Sequence, residues 1–347
     1  MFEDKKTKVY LVLIVTFSVL LTSFSFYFYQ AFFSPNTLTE EDSPYTLYIP
    51  SNATFQMVLD SLYENRIIQE ALTFGFVSKT MGYQEAVKPG KYTIQPKMSN
   101  LNLVRLLRSG AQTPERITFN NVRTKKDLAE KITRTIEVNE QQFLDLLMDS
   151  VNIRKFGFEE ETILSMFIPN TYEVWWNISA ESLFDRMFRE YEAFWTDHRK
   201  QKAADLGLTL KEVSTLASIV QAETQKSDER PRVAGVYLNR LRIKMPLQAD
   251  PTLVFAVGDF GLKRVLNIHK EIDSPYNTYK FLGLPPGPIN LPEISALDAV
   301  LNPEDHSYLY FCAKDDFSGY HAFASNYNEH LANARRYQAA LTRAKIF

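Results

Sequence analysis

Residues 209–224 read TLKEVSTLASIVQAET and predict the helix around which the rest of the chain is organised. Thr209 is followed three residues later by Glu212, the spacing of a capping box, in which each side chain bonds a backbone N–H left unpaired at a helix start. Apolar side chains then recur at helical spacing, which predicts that one face of the helix packs on a core. These side chains are Val213, Leu216, Ala217 and Val220.

The next position on that apolar face is Glu223. A carboxylate there costs free energy unless it is paired or has a task, because burial disfavours the charged form. The same burial raises the pKa, as a general acid working near neutral pH requires. The alternative is an ordinary surface glutamate at the end of a helix, and the pattern alone leaves both interpretations open.

Four further stretches follow this helix in a fixed order. They read SDERPRVAGVYLNRLRIKMPLQADPTLVFA (227–256), SPYNTYKFLGLPPGPI (274–289), YLYFCA (308–313) and GYHAF (319–323). Together with ASIVQAET (217–224), the series resembles the MltG-like (YceG-like) endolytic murein transglycosylases. The resemblance is strong from Phe167 to the C-terminus and looser in the N-terminal third.

The resemblance implies roles for individual residues. The family's catalytic acid directly precedes the threonine of the first motif, which implies that role for Glu223. Members commonly carry a second glutamate two residues earlier, where this chain has Gln221. Arg240 is interpreted as structural, fixing a nearby carboxylate. Matched motif positions imply substrate contacts from Asn239, Gln248, Asp250, Tyr276, Asn277 and Tyr279.

Composition narrows the class of protein. The 347 residues suffice for two or three domains, and a net charge of −2 without a basic block gives no support for nucleic-acid binding. Cys312 is the only cysteine, which excludes an intrachain disulfide and a cysteine-based zinc site. Because it lies in an apolar run, Cys312 is predicted to be a buried strand residue.

A membrane anchor is predicted near the N-terminus. Residues 9–33 form an almost uninterrupted apolar run, and about 20 such residues cross a bilayer as a helix. A cleaved signal peptide is the alternative, but its apolar region is usually ~7–15 residues long. Lysines precede the run (Lys5, Lys6, Lys8) and acids follow it (Glu40, Glu41, Asp42). Because the positive flank stays in the cytoplasm, the sequence predicts a single-pass anchor in the inner membrane with the rest of the chain in the periplasm.

The predicted fold class is α+β: a transmembrane helix, a small α+β module and a mixed α/β catalytic domain. The predicted order is a cytoplasmic tail (1–8), the transmembrane helix (9–33), a linker (34–44), the module (45–110) and the catalytic domain (111–347). The module repeats a strand, a cap and an amphipathic helix. Its cap candidates are Ser51 and Asn52, then Ser99. It resembles the LysM-like region of the family, which implies carbohydrate binding.

Within the catalytic part the sequence predicts alternating helices and turn-rich loops. A strand at 117–119 leads to a helix capped by Thr124, and Ser227 is the predicted cap of a helix with Pro231 in its first turn. Helices are predicted at 137–166, 179–202 and 326–345, an extended segment at 167–177, a loop leading into a short helix or strand at 247–258, and a hairpin around 318–319. Two departures from the family are Ser165 and Asn170, which stand where acids are common.

Several classes of chemistry lack their motifs. No G-x-G-x-x-G or Walker sequence occurs, the five histidines do not have HExxH spacing, and no G-x-S-x-G occurs. A carboxylate enzyme remains. Ordinary glycoside hydrolases use two carboxylates, and the candidates for a second one are Asp250 and Glu173.

The lytic transglycosylase that the resemblance implies can work with one carboxylate. Its acid protonates the bond between N-acetylmuramic acid and N-acetylglucosamine, and its conjugate base takes a proton from the muramoyl 6-hydroxyl, which closes a 1,6-anhydro ring. No metal or cofactor is implied. The implied partners are glycan strands, and peptidoglycan synthases or the elongation and division machinery are further candidates. The alternatives are a non-catalytic wall-binding scaffold and a muramidase that uses water.

Overall fold

The computed structural model describes residues 2–39, 43–262 and 264–345 and is a mixture of helices and short strands. The helices are α1 (Phe2–Phe33), α2 (Phe55–Glu64), α3 (Ala71–Thr80), α4 (Asn100–Ser109), α5 (Lys125–Thr133), α6 (Glu140–Met148), α7 (Ser150–Lys155), α8 (Ala180–Phe194), α9 (Asp197–Asp205), α10 (Leu210–Glu223), α11 (Arg230–Arg242), α12 (Asp250–Val257), α13 (Ile294–Leu301) and α14 (Tyr327–Arg343). The strands are β1 (Tyr45–Ile49), β2 (Gly90–Ile94), β3 (Glu115–Thr118), β4 (Thr171–Val174), β5 (Tyr310–Ala313) and β6 (His321–Ala324).

Among the described residues the strands form three two-stranded sheets, β1 with β2, β3 with β4 and β5 with β6. β1 and β2 are antiparallel, with Tyr45 opposite Ile94. β5 and β6 are antiparallel, with Tyr310 opposite Ala324, which confirms the predicted hairpin. Cys312 lies on β5 as predicted but is half-buried, because this sheet has only two strands to cover it.

The chain divides into two compact units. The first comprises residues 1–116, 135–137 and 173–178, and the second comprises residues 117–134, 138–172 and 179–347. The first unit therefore includes two short segments that come later in the chain than the predicted module. The predicted domain bounds stay predictions.

α1 is long and apolar enough between Lys5 and Phe33 to cross a membrane, which fits a single-pass anchor. The last turn of α1 packs on the first unit, since Ala31 and Phe32 are buried in its core. The Phe32 ring meets the Phe76 ring of α3 edge-on, with 6.1 Å between centroids. The acidic flank Glu40, Glu41 and Asp42 lies outside the described residues.

A buried amide pair holds the chain where it leaves α1. Asn100, the first residue of α4, donates from Nδ2 to the carbonyl of Ala31 at 2.9 Å. Asn36 donates from Nδ2 to Asn100 Oδ1 at 2.7 Å and accepts from the Glu70 backbone N–H at 2.9 Å. Thr37 forms an isolated β-bridge with Ile68. The first half of the predicted linker is therefore hydrogen-bonded into the first unit.

α10 lies at the centre of the second unit and packs against α11, α12 and α13. Thr209 and Glu212 form the predicted capping box, and the predicted apolar face is buried. The hydroxyl of Ser218 accepts from the backbone N–H of Ile289 at 3.0 Å. α10 thereby fixes the loop before α13 as well as the core.

Several local predictions are confirmed, because the residues that mark a helix end lie within a few positions of that end in the sequence. Ser99 caps α4, which ends at a left-handed Gly110 with φ 75°. Thr124 caps α5 with a full capping box, and Pro231 lies in the first turn of α11. Residues 250–257 are the short helix α12.

Other local predictions are wrong, and each for a local reason. The cap of α2 is Thr54 rather than Ser51 or Asn52, because the turn after β1 continues to Ala53. The predicted helix 137–166 is divided into α6, α7 and a 3-10 helix at Ile163–Met166, since Asp149 ends α6 and caps α7. Thr196 likewise begins a new helix, α9, within 179–202. α11 begins at Arg230 rather than after Ser227, because Thr224 and Glu229 form a hydrogen-bonded turn there.

Candidate active site

Glu223 is the last residue of α10 and is partly buried. The Tyr237 hydroxyl of α11 donates to Glu223 Oε1 at 2.8 Å. Tyr237 is itself 1% exposed and lies on the inner face of α11, so its ring is fixed by the core while its hydroxyl reaches the carboxylate. Two packed helices therefore hold the side chain of Glu223 in one place.

Burial raises the pKa of Glu223 to about 7. The hydrogen bond from Tyr237 opposes this rise because it stabilises the charged form, whereas the negative charge of Asp250 adds to the rise. The positive charge of Arg240 lowers the pKa. The result is a carboxylic acid that can both give and take a proton close to neutral pH.

Arg240 is held by backbone carbonyls. Its Nε donates to the carbonyl of Leu309 at 2.7 Å, and its Nη1 donates to that of Leu247 at 2.5 Å. Burial lowers its pKa. Arg240 thus has the structural partners that were predicted, but these are carbonyls and not a carboxylate; it also lines the smaller cavity, and its charge acts on the carboxylate of Glu223.

Glu223 and Asp250 both line two cavities of the second unit. The larger has a volume of about 810 Å³ and also includes Gln221 and the exposed ring of Phe260. The smaller has a volume of about 300 Å³ and is lined by the predicted site residues Gln248 and Tyr279. Glu223 thus borders both cavities.

Asp250 begins α12 and accepts a hydrogen bond from the Tyr279 hydroxyl at 2.6 Å. Its side chain is exposed, and burial together with this bond raises the pKa of Tyr279. Gln248 has a left-handed backbone (φ 49°), and its N–H bonds the carbonyl of Thr278 at 3.1 Å. The predicted residues Gln248, Asp250 and Tyr279 therefore lie together beside Glu223.

Three other predicted contact residues have structural partners and line neither cavity. Asn239 donates to the carbonyls of His306 and Tyr308, at 2.8 and 3.1 Å. Asn277 is buried and donates to the carbonyls of Lys270 and Ile272. The Tyr276 ring packs on that of Phe255 with 4.6 Å between centroids, and burial raises its pKa to about 12. Their roles as substrate contacts stay predictions.

Gln221 supports the loop before α13. Its Oε1 accepts from the backbone N–H of Glu293 at 2.6 Å, while its Nε2 lies 3.4 Å from Asn290 Oδ1. Both partners also line the larger cavity. Gln221 therefore forms part of the wall beside Glu223.

A second cluster holds the chain directly after Glu223. The buried carboxylate of Glu229 accepts from the Thr224 hydroxyl at 3.1 Å and from the His321 backbone N–H at 2.8 Å, and its Oε2 lies 2.6 Å from His321 Nδ1. The His321 ring meets Phe311 edge-on, and Phe311 meets Tyr237 in the same way. The hairpin β5–β6 is thereby fastened to the end of α10.

Glu173, the other candidate for a second carboxylate, has an exposed side chain on β4. In the described part of the chain no group of three His, Cys, Asp or Glu side chains could hold a metal ion. Ser165 is buried, and its hydroxyl has no hydrogen-bond partner among the described residues. Asn170 accepts from the Thr171 backbone N–H at 2.8 Å.

The YceG-like family model matches residues 47–336. The chain belongs to this family. The match spans the core of the first unit beyond α1, the helices α10 to α13 and the hairpin β5–β6, so the Glu223 site lies within the region that defines YceG-like proteins.

Named relatives extend the comparison. The endolytic murein transglycosylase of Streptococcus pneumoniae (strain D39) is 27% identical over 359 residues, which cover 94% of this chain and 64% of that protein. This chain therefore spans less than two thirds of the pneumococcal relative. The endolytic murein transglycosylase of Bacillus subtilis is 29% identical over 321 residues and 86% of each chain.

A crystal structure of a YceG-like protein from Listeria monocytogenes has the same fold, with a TM-score of 0.55 and 26% identity. The similarity covers 84% of this chain and 98% of that one.

Sequence reasoning did not identify Tyr237, Glu229 or His321 as parts of the YceG-like site. The signal for Tyr237 was available, because a buried tyrosine hydroxyl requires a partner and Tyr237 lies on the inner face of a predicted helix. Glu229 and His321 are 92 residues apart, and no local pattern links them. Only the docking of β6 on the end of α10 brings them together.

Proposed function

We propose that this protein is an endolytic murein transglycosylase that cleaves the N-acetylmuramic acid to N-acetylglucosamine bond within glycan strands and leaves 1,6-anhydro ends. The observation that carries the proposal is Glu223, a partly buried carboxylic acid with a pKa of about 7 between two cavities. The relatives named above are endolytic murein transglycosylases, which supports the same substrate class here.

Glu223 acts first as acid and then as base. In its protonated state it gives the proton to the glycosidic oxygen, and the bond to the anomeric carbon breaks. The conjugate base then takes the proton of the muramoyl 6-hydroxyl, whose oxygen attacks the anomeric carbon. Tyr237 and Arg240 stabilise the carboxylate formed between these steps, because both favour the charged form of Glu223.

The product distinguishes this reaction from its alternatives. Mass analysis of glycan digested by the full chain is expected to show anhydro ends. Reducing ends would instead support a muramidase that uses water, with Asp250 as its second carboxylate. No cleavage at all would support the wall-binding scaffold.

The proposal includes a placement in the cell. α1 crosses the inner membrane once, residues 1–8 face the cytoplasm and the second unit faces the periplasm, where glycan strands are made. The residues of the predicted module, 45–110, bind glycan in the manner of a LysM domain. From this place the protein trims or terminates new strands, and synthases or the elongation and division machinery are its candidate partners.

A further inference from the structure

The larger cavity beside Glu223 has a cationic wall that neutral sugars do not require. Among its lining residues are three arginines, Arg123, Arg230 and Arg264. Arg230 is neutralised, because its Nη1 donates to Glu293 Oε2 at 3.0 Å. Within the described residues neither Arg123 nor Arg264 forms an ion pair, so two guanidinium charges stay available to a ligand.

The structure fixes Arg123 at this wall. The carbonyl of Val122 accepts from the Leu291 backbone N–H at 2.8 Å, which ties the segment before α5 to the loop before α13. The nearest acid in sequence, Asp127, accepts from the backbone N–H groups of Arg123 and Thr124 and forms the capping box of α5. Its carboxylate is therefore engaged by the backbone.

The Arg123 guanidinium carbon lies 4.9 Å from the centroid of the Phe260 ring. Such stacking orients the planar group and leaves its edge N–H donors free for a carboxylate. Apolar side chains complete this part of the wall beside Arg264; they are Val254, Phe255, Leu262 and Val265. A ligand for this wall should therefore carry carboxylates and small apolar groups together.

The carboxylates of the cavity do not cancel this charge. Glu293 is paired with Arg230, and Glu223 is largely neutral below pH 7 because its pKa is about 7. Asp250 accepts from the Tyr279 hydroxyl, a bond that does not remove the charge of a carboxylate. While Glu223 is protonated, the three lining arginines outnumber the two other carboxylates, Asp250 and Glu293, so the lining has a small net positive charge.

We propose that the wall formed by Arg123, Phe260 and Arg264 is a subsite for the carboxylates of the peptide attached to the muramoyl lactyl group. This inference rests on the proposed function, because it assigns the wall to a substituent of the strand cleaved at Glu223. The sugar rings of such a strand are neutral, whereas its peptides carry free carboxylates and alanine methyl groups. A guanidinium–carboxylate pair fits both the charge and the geometry of this wall.

The test compares two substrates and three proteins. The substrates are glycan strands that carry peptides and strands from which an amidase has removed them. The proteins are the full chain, its Arg123→Gln/Arg264→Gln variant and an Arg189→Gln control, since Arg189 is an exposed arginine of α8 outside both cavities. The double variant should lose at least about tenfold in kcat/KM on peptide-bearing strands and keep its rate on denuded strands.

Equal losses on both substrates would overturn the proposal, since the arginines would then serve the sugar backbone or the fold. An unchanged rate on peptide-bearing strands would also overturn it. Amidation of the peptide carboxylates should remove the wild-type preference without any mutation. If an anionic wall polymer rich in phosphate competes with the substrate but free muramoyl-peptide does not, the wall binds phosphate and the proposal is wrong.

A binding measurement separates this inference from the proposed function. Calorimetric titration of the full chain with muramoyl-pentapeptide should show binding that the double variant loses and Arg189→Gln keeps. If the wild-type chain cleaves neither strand yet shows this pattern, the proposed function fails and the subsite stands. If cleavage occurs and the titration shows no difference between the proteins, the subsite fails and the function stands.

Discussion

At the scale of single residues, the chemistry depends on how three neighbours set the pKa of Glu223. Tyr237 and Arg240 favour the charged form, while burial and Asp250 favour the neutral form. Burial is the largest of these influences, which is why the pKa rises to about 7 in spite of a hydrogen bond and a nearby cation. Changes to the neighbours should therefore move the pH dependence in predictable and opposite directions.

Tyr237→Phe should move the alkaline limb of the kcat/KM profile to higher pH. The variant removes the hydroxyl that bonds the Glu223 carboxylate, so the charged form is less stable and the pKa rises. Activity requires protonated Glu223, so a higher pKa means that the activity falls only at a higher pH. A profile measured between about pH 5 and 9 checks this, and a limb that stays in place or moves to lower pH would contradict it.

Asp250→Asn should move the same limb to lower pH. The negative charge of Asp250 raises the pKa of Glu223, so a neutral asparagine lets the charged form appear earlier. The rate at pH 6 should fall less than in Glu223→Gln, because one carboxylate suffices for the transglycosylase. If both variants are inactive to the same degree, Asp250 is a second catalytic carboxylate and a hydrolase is favoured.

At the scale of elements, the helix ends show which features the sequence can predict. The capping box of Thr209 and Glu212 uses residues three apart, so it was visible without a structure. The buried face of α10 followed from the same helical spacing, whereas that spacing alone left open whether Glu223 is buried or lies on the surface. The helix start and the apolar face depend only on residues that are close together in the sequence.

Features that join distant elements were not predictable in this way. α13 follows a turn-rich stretch, and neither it nor α3 was predicted. Asn239 and Asn277 occupy motif positions suited to sugar binding, yet the structure uses their amides to bond backbone carbonyls. The hydrogen bonds of Asn239 cross 67 and 69 residues, which is why the sequence pattern could not reveal them.

Asn100→Ala should destabilise the first unit by about 2–4 kcal/mol, because it removes the buried hydrogen bonds of Asn100 to the Asn36 amide and to the carbonyl of Ala31. The segment 34–38 should become sensitive to protease in the folded chain. Thermal unfolding of the full chain in detergent and limited proteolysis measure these two effects. Asn102→Ala on the same helix is the matched control, since Asn102 is exposed. Equal stability of the two variants would contradict the role of the amide pair.

At the scale of the whole molecule, the residues before the apolar run of α1 and the second unit should lie on opposite sides of the membrane. A reporter that is active only in an oxidising compartment should work when it is fused to the C-terminus, and a cytoplasmic reporter should not. Lys5, Lys6 and Lys8, which precede the apolar run of α1, are the physical reason, because a positive flank is retained in the cytoplasm. Activity of the cytoplasmic reporter alone would show that the C-terminus lies in the cytoplasm, where the second unit could not reach the glycan.

The stability of the whole chain also carries a signature of Glu223. The pKa of Glu223 is about 7 in the folded protein, against an ordinary value of 4.5 that applies to the unfolded chain. The contribution of Glu223 to the free energy of unfolding is therefore fully present below about pH 4.5 and is lost as the pH rises through 7. Glu223→Gln removes the buried charge that forms at high pH. The variant should therefore melt at a higher temperature than the wild type at pH 8 and at a similar temperature at pH 5. Equal melting temperatures at pH 5 would also show that the variant is folded.

The most direct test of the central claim is the amount of anhydro-ended glycan released by Glu223→Gln. The variant keeps the shape of the side chain but cannot give or take a proton, so release should fall by at least about 10²–10⁴-fold. Gln221→Glu is the matched control on the same helix turn and should change the rate only modestly, because its oxygen can still accept from the Glu293 backbone N–H. Release of anhydro ends by folded Glu223→Gln at near the wild-type rate would contradict the assignment of Glu223 as the catalytic acid and base.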